Sequence, residues 1–306
     1  MKKNVCIAVC LAATLALLAT ACHDVIFYEI RQEVELTDGQ VPGDIRSIVE
    51  FGNYLYVENG NIYRKDKTAS SYGQWVKLSR DGMGGGKVIK LATDSSNLYA
   101  LVARVESDED EGENYVAEQM LYASTDGDNW TKVDVSLPRT GNHLYSLENV
   151  AYIKTYDGTG YVLSGTTSPS ASEIPNYVIM ATSADGVTYT ASNRTISQNG
   201  TSFYNVGSSI YSMALTSDCI VVGTASGLKY IDINSRNETT VANSASALSS
   251  YYEVHCVFVV NSGKNTARNS DIYASAIFSG TTSSGASSDN EGLWAYYPGR
   301  GSWNRE

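Results

Sequence analysis

Apolar positions along this chain come in short runs rather than at helical spacing. Runs of about four to eight residues, continuously apolar or alternating, are bounded by Gly, Asn, Asp and Ser. No window keeps apolar residues on one helical face for three turns, so the pattern predicts an all-β chain. From Ile45 onward the runs group by four into five units, 45–86, 87–146, 147–207, 208–250 and 251–306. The first unit reads Ile45–Phe51, Asn53–Val57, Asn61–Arg64 and Gln74–Leu78; the second reads Val88–Leu91, Asn97–Val102, Met120–Ser124 and Asn129–Val133. The third is Asn149–Ile153, Gly160–Ser164, Tyr177–Ala181 and Val187–Thr190, and the last two follow the same plan.

A four-stranded unit of this size cannot bury both of its faces alone, so units packed around an axis are the natural solution. The expected fold is a single β-propeller of five four-stranded blades, with six blades or a β-sandwich as the alternatives. The first two runs of each unit are the most apolar, as inner strands should be. Residues 24–36 hold a further apolar and alternating stretch that could close the ring by adding a strand to the last blade.

Two stretches carry a hairpin signal. In Leu121–Trp130 and Val178–Tyr189 an Asp-Gly pair, Asp126-Gly127 and Asp185-Gly186, sits between β-prone runs, which predicts a two-residue type I′ turn. That register sets Ala123 opposite Trp130 and Thr182 opposite Tyr189, one aromatic slot in each. Ser124, Asp126, Gly127 and Trp130, and again Ser183, Asp185, Gly186 and Tyr189, resemble the Asp-box repeat of sialidase-type (BNR) proteins. The resemblance covers about ten residues per copy, with one residue fewer between Asp and the aromatic than the usual spacing. It implies a structural hairpin between the two outer strands of a propeller blade, and it implies no catalysis.

The start of the chain has a different character. Lys2 and Lys3 precede an apolar stretch from Val5 to Leu18, then Ala19-Thr-Ala-Cys22. About fourteen apolar residues fall short of the roughly 20 that span a bilayer as a helix, and the small-residue ending marks a cleavable signal. Cysteine directly after Ala21 resembles a bacterial lipoprotein signal, which implies cleavage of residues 1–21 and acylation of Cys22, for example by palmitate. The expected domains are therefore the signal at 1–21, a lipidated N-terminus at 22–44, and the propeller at 45–306. The implied address is the bacterial cell envelope, lipid-anchored on the periplasmic face or the outer surface.

Charge narrows the partners. Without residues 1–21, 20 basic side chains remain against 33 acidic ones, a formal charge of about −13. Nucleic-acid binding needs a basic footprint and is excluded, and adsorption to anionic lipid is disfavoured, so the lipid itself would hold the chain on the membrane. Cys219 and Cys256 are either a disulfide, which an exported compartment permits, or two small buried apolar residues.

Candidate chemistry is sparse. Asp108 and Asp110, within the acidic run Glu106–Glu113, are weak Ca²⁺ candidates, since the full twelve-residue loop pattern is absent. Asp126 and Asp128 read better as turn formers than as ligands. His23, His143 and His255 are scattered and build neither a Ser-His-Asp set nor a metal site. Arg46 opens the first unit roughly where sialidases place a substrate-binding arginine, but no matching arginines follow. Glu50 and Glu253 are conceivable as a glycosidase pair on inner strands, with no further support. Asn129, Asn193, Asn199 and Asn237 match glycosylation acceptors by chance.

No catalytic set, cofactor or metal is therefore expected. The reading is a non-enzymatic binding or assembly scaffold for a protein partner, with long polar loops (107–118, 168–176 and 280–290) on a rigid frame. Carbohydrate binding by a lectin-like propeller, or a surface adhesin, is the alternative, and a sialidase-like hydrolase the remote one.

Overall fold

The computed structural model describes residues 40–69, 72–107, 114–175, 179–241, 248–261, 263–279 and 290–306. Residues 1–39, among them Cys22 and the stretch 24–36, lie outside the described residues. All regular structure among the described residues is strand, apart from short 3-10 turns.

Among the described residues, six antiparallel sheets follow one another along the chain. The first is β1 (Ile48–Phe51), β2 (Tyr54–Glu58), β3 (Ile62–Asp66) and β4 (Val76–Lys77). The second is β5 (Lys87–Thr93), β6 (Leu98–Ser107), β7 (Asn114–Ser124) and β8 (Thr131–Lys132). Three strands make the third, β9 (His143–Leu147), β10 (Val150–Lys154) and β11 (Gly160–Val162). The fourth holds β12 (Met180–Thr182), β13 (Thr188–Ser192), β14 (Thr195–Gln198) and β15 (Thr201–Asn205). The fifth holds β16 (Ile210–Leu215), β17 (Cys219–Thr224), β18 (Gly227–Asp232) and β19 (Glu238–Thr239). In the sixth, β20 (Tyr252–Glu253) and β21 (Val257–Val259) both pair with β22 (Ile272–Phe278), followed by β23 (Gly292–Tyr297) and β24 (Ser302–Arg305).

The first strand of each sheet, or its flanking residue, faces a common channel: Ile48, Leu91, Ser146, Met180, Ser212 and Val257 all line it. Apolar clusters fill the gaps between neighbouring sheets. One joins Tyr56 and Ile62 of the first sheet to Leu98 and Trp130 of the second. Others join the second to the third, the fourth to the fifth, the fifth to the sixth, and the sixth back to the first. The third and fourth meet through Thr182 Oγ1, which donates to Glu148 Oε1 at 2.9 Å. Five of the six junctions thus bury apolar sheet faces against each other, the arrangement a lone sheet cannot reach, while the third and fourth sheets are linked by an exposed hydrogen bond.

Five units were expected and six sheets are found. The difference lies in 143–207, which holds two sheets where one unit was expected. His143–Leu147 is an innermost strand, and Val150–Lys154, read as innermost, is the second strand of the same sheet. Thr195–Gln198 and Thr201–Asn205 were not read as strands, because outer strands are half in solvent and these two are mostly polar.

Both Asp-Gly hairpins also differ from expectation. Ala123 pairs with Thr131 and Ala181 with Tyr189, so neither aromatic occupies the predicted place opposite its partner. Gly127 and Gly186 take positive φ (81° and 82°), whereas Asp126 and Asp185 do not, so the turns are not type I′. Side-chain hydrogen bonds build a longer loop instead. Asp126 Oδ1 accepts from the amides of Asp128 (2.9 Å) and Asn129 (2.8 Å), and Ser124 Oγ accepts from the amide of Gly127 at 2.8 Å. These bonds, led by the Asn129 amide, hold the Asp126 carboxyl well below the usual carboxylate range. In the second hairpin Ser183 Oγ donates to Asp185 and accepts from the Val187 amide at 3.0 Å. The first hairpin joins the two outer strands β7 and β8, but the second joins the two inner strands β12 and β13. They are not equivalent positions of one repeat.

Candidate functional site

The channel widens at both ends. At the C-terminal ends of the innermost strands, Glu50, Phe51, Thr93, Glu148, Phe258 and Asn261 line a cavity of about 620 Å³. At their N-terminal ends, Arg46, Ile89, Lys90, His143, Tyr211 and His255 line one of about 590 Å³, with Asn142, Asp44, Leu101 and Leu144. The throat between them holds about 190 Å³. We call the second cavity the mouth.

Strand irregularities aim residues into the mouth. Along β5 the pairing skips Ile89 between Val88 and Lys90, and along β16 it skips Tyr211 between Ile210 and Ser212. The innermost strand of the sixth sheet is interrupted between β20 and β21, where Ser275 Oγ accepts from the amides of His255 and Cys256, both at 3.0 Å. In the first sheet Glu58 does the same work: its Oε1 accepts from the Arg46 amide at 2.9 Å and from Ser47 Oγ at 3.0 Å. An extra residue in a strand re-aims a side chain and frees backbone groups that a buried polar side chain must satisfy. Ile89 and Tyr211 are such re-aimed residues; Arg46 and His255 lie just outside regular strand, and all four line the mouth.

The mouth's polar side chains are largely engaged within the fold. Arg46 Nε and Nη2 reach Asp44 Oδ2 at 2.8 and 2.7 Å, and His255 Nε2 lies 2.6 Å from Glu253 Oε2. The Tyr211 ring sits 4.4 Å from the His255 ring, tilted by 36°. Lys90 Nζ donates to the Arg46 carbonyl. Glu58 is 2% exposed, and burial pushes its carboxyl up to about 8, against the opposing field of Lys90. Burial in turn lowers Lys90, with Glu58 opposing.

Among the described residues, two buried polar atoms here lack a partner. Asn142 donates through Nδ2 to Gln119 Oε1 (2.6 Å) and the Pro138 carbonyl (2.7 Å), which leaves its Oδ1 without one. The Tyr145 hydroxyl, in the throat, is likewise unpaired. Such an atom costs about 1–3 kcal/mol unless something supplied through the cavity satisfies it.

An arm flanks the mouth. β5 ends its pairing with β6 at Ala103, and β8 pairs only with Tyr122 and Ala123 of β7. Beyond those points β6 and β7 continue as a two-stranded ribbon to Ser107 and Asn114. Val105 (42%) and Tyr115 (41%) are exposed on it. Arg139 braces the ribbon, donating from Nε and Nη2 to the Val116 carbonyl at 3.2 and 3.1 Å and lying 5.2 Å over the Tyr115 ring.

The structure brings Arg46, His143 and His255, three residues singled out in the sequence, to the mouth. It separates Glu50 and Glu253, which lie at opposite ends of the channel; Glu50 accepts from Lys67 Nζ at 2.8 Å. Ser124, Asp126 and Gly127 form the turn described above, and Asp128 is engaged by Arg64 at 2.9 Å. Trp130 is buried between the first and second sheets, and Tyr189 stacks edge-on with Phe203 at 5.5 Å. Cys219 and Cys256 are separate buried thiols. Asp108 and Asp110, like Cys22, lie outside the described residues. Among the described residues, no group of three or more His, Cys, Asp and Glu could hold a metal ion. Glu58 and Tyr211 were missed. Glu58 ends a strand that reads as ordinary alternation, and only the polar residue closing the apolar run Tyr54–Val57 hinted at it.

No protein-family model matches the chain. Over 105 residues it is 33% identical to an uncharacterized lipoprotein of Treponema pallidum (strain Nichols), covering 32% of this chain and 21% of that protein. The chain thus spans about a fifth of the length of this curated relative. Among solved structures, the tricorn protease matches 86% of this chain and 26% of its own, with a TM-score of 0.51 at 12% identity. PorZ, described as an essential bacterial surface component of the type-IX secretion system of Porphyromonas gingivalis, matches 87% of this chain and 38% of its own, with a TM-score of 0.43 at 15% identity. At such identities the likeness to the tricorn protease carries the fold and no activity. With sheets set around a channel, that fold is a β-propeller.

Proposed function

We propose that this is a bacterial cell-envelope lipoprotein, anchored through an acylated Cys22. Its propeller closes as a ring of six blades and holds a protein partner without catalysing a reaction. The likeness to a curated lipoprotein supports the anchor. The observation that carries the binding role is the β6–β7 arm. Among the described residues its β6 edge has no neighbouring strand beyond Ala103, and it presents Val105 and Tyr115 to solvent, where an extended segment of a partner can pair.

Two experiments test the parts separately. Labelled palmitate is incorporated into the wild type and not into Cys22→Ser, which appears in the soluble fraction; undiminished labelling of that variant contradicts the anchor. Replacing residues 104–118 by a two-residue turn removes the in-cell crosslinked partner while the circular dichroism spectrum stays unchanged. The same crosslinked species from the trimmed chain contradicts the binding role.

A further inference from the structure

We infer that the mouth is a binding site for a short neutral saccharide, separate from partner docking on the arm. The cavity of about 590 Å³ has the size of a small-ligand site. Neither cation of the mouth is left free to hold an anionic ligand: Arg46 is paired with Asp44 at 2.7 Å, and Lys90 Nζ is committed to the Arg46 carbonyl. Hydrogen-bonding groups of both kinds remain, the cationic donors beside the carboxylate Asp44 and the carboxamide of Asn142. A ligand that donates and accepts at adjacent hydroxyls matches such a set, whereas an apolar ligand leaves it unsatisfied.

Two further observations point to a ligand. Asn142 and Tyr145, each 8% exposed, keep a polar atom without a partner beside the mouth and in the throat beneath it. Tyr211 is re-aimed by its bulge, backed by the His255 ring at 4.4 Å, and still 36% exposed. A ring held in place behind and open in front is a platform for the C–H face of a sugar.

The test uses the detergent-solubilised full chain on an array of neutral, amino and acidic mono- to trisaccharides. Neutral saccharides are expected to bind, with Tyr211→Ala weakening the best of them about tenfold and Tyr211→Phe changing it little. Hydroxyl-radical footprinting of the wild type reads the site without a variant: saccharide should protect Tyr211 and leave Tyr156, which is 84% exposed, unchanged. An array silent for neutral saccharides, binding confined to acidic ones, or an unprotected Tyr211 would overturn the inference. These outcomes are independent of the arm's partner.

Discussion

Lys65 Nζ lies 2.6 Å from Glu306 Oε2, and both side chains are fully buried. Lys65 belongs to the first sheet, and Glu306 follows the last strand of the sixth. Trp75 Nε1 (2.7 Å) and the Tyr297 hydroxyl (2.8 Å) also donate to Glu306, and the Glu306 carbonyl accepts from the Val41 amide at 2.7 Å. A polar knot therefore fastens the two ends of the described chain inside an apolar cluster. Removing one partner leaves a buried charge, so Lys65→Met or Glu306→Gln should each cost about 3–5 kcal/mol in denaturant unfolding. The double variant should cost clearly less than the sum; additive costs would mean that the pair does not act as a unit.

Gly127 ties the outer hairpin of the second sheet to the first. Its φ is +81°, and a Cβ there would stand 2.2 Å from the Tyr56 hydroxyl. Gly127→Ala should therefore destabilise by more than the about 1–2 kcal/mol of the left-handed backbone alone, with part recovered by adding Tyr56→Phe. Trp130→Ala, in the same junction, should cost about 3–5 kcal/mol and leave partner binding intact. Loss of binding at full stability would contradict a packing role for Trp130.

Glu58 predicts a pH dependence. Its carboxyl is raised from 4.5 to about 8 in the folded chain. The stability it contributes is complete below pH about 4.5 and is lost as pH rises through about 8, because the unfolded chain gives up this proton first. Lys90 works oppositely at higher pH: its lowered value makes the unfolded chain the better proton binder, so that contribution grows as pH rises. Asp44 and the Arg46 amide also act on Glu58. Chemical denaturation between pH 5 and 8 should show a falling contribution, on the order of a few kcal/mol at most, that Glu58→Gln removes. An unchanged slope in Glu58→Gln would assign the effect elsewhere.

The two free thiols should be silent. Burial pushes both Cys219 and Cys256 up to about 12, and alkylation needs a thiolate. Maleimide should label neither in the folded chain and both in denaturant. Labelling in the folded state would show that the sheets around them open.

The all-β class and four of the five expected units were legible because inner strands are buried on both faces and therefore read as apolar runs. The count failed at 147–207 for a physical reason. Ser/Thr-x-Asp turns stabilise hairpins by side-chain bonds to backbone amides wherever they occur. They appear at Ser183–Asp185 between inner strands and at Thr216–Asp218, where Thr216 Oγ1 donates to Asp218 at 2.8 Å. The motif marks a turn and carries no phase. The mouth was hardly legible, since Ile89 and Tyr211 reach it through extra residues that break period-two alternation. Glu58 is an acid whose partners are a backbone amide and a hydroxyl just ahead of the neighbouring strand β1. Neither signal exists in a linear pattern.

The arm is the claim on which the functional account turns, and residue-specific crosslinking in the cell tests it most directly. A photoreactive residue at Tyr115 should capture a discrete partner, while one at Val76, more open at 59% exposure but on the outer edge of the first sheet, should not. Capture of the same species from both positions, or from Val76 alone, would contradict the account.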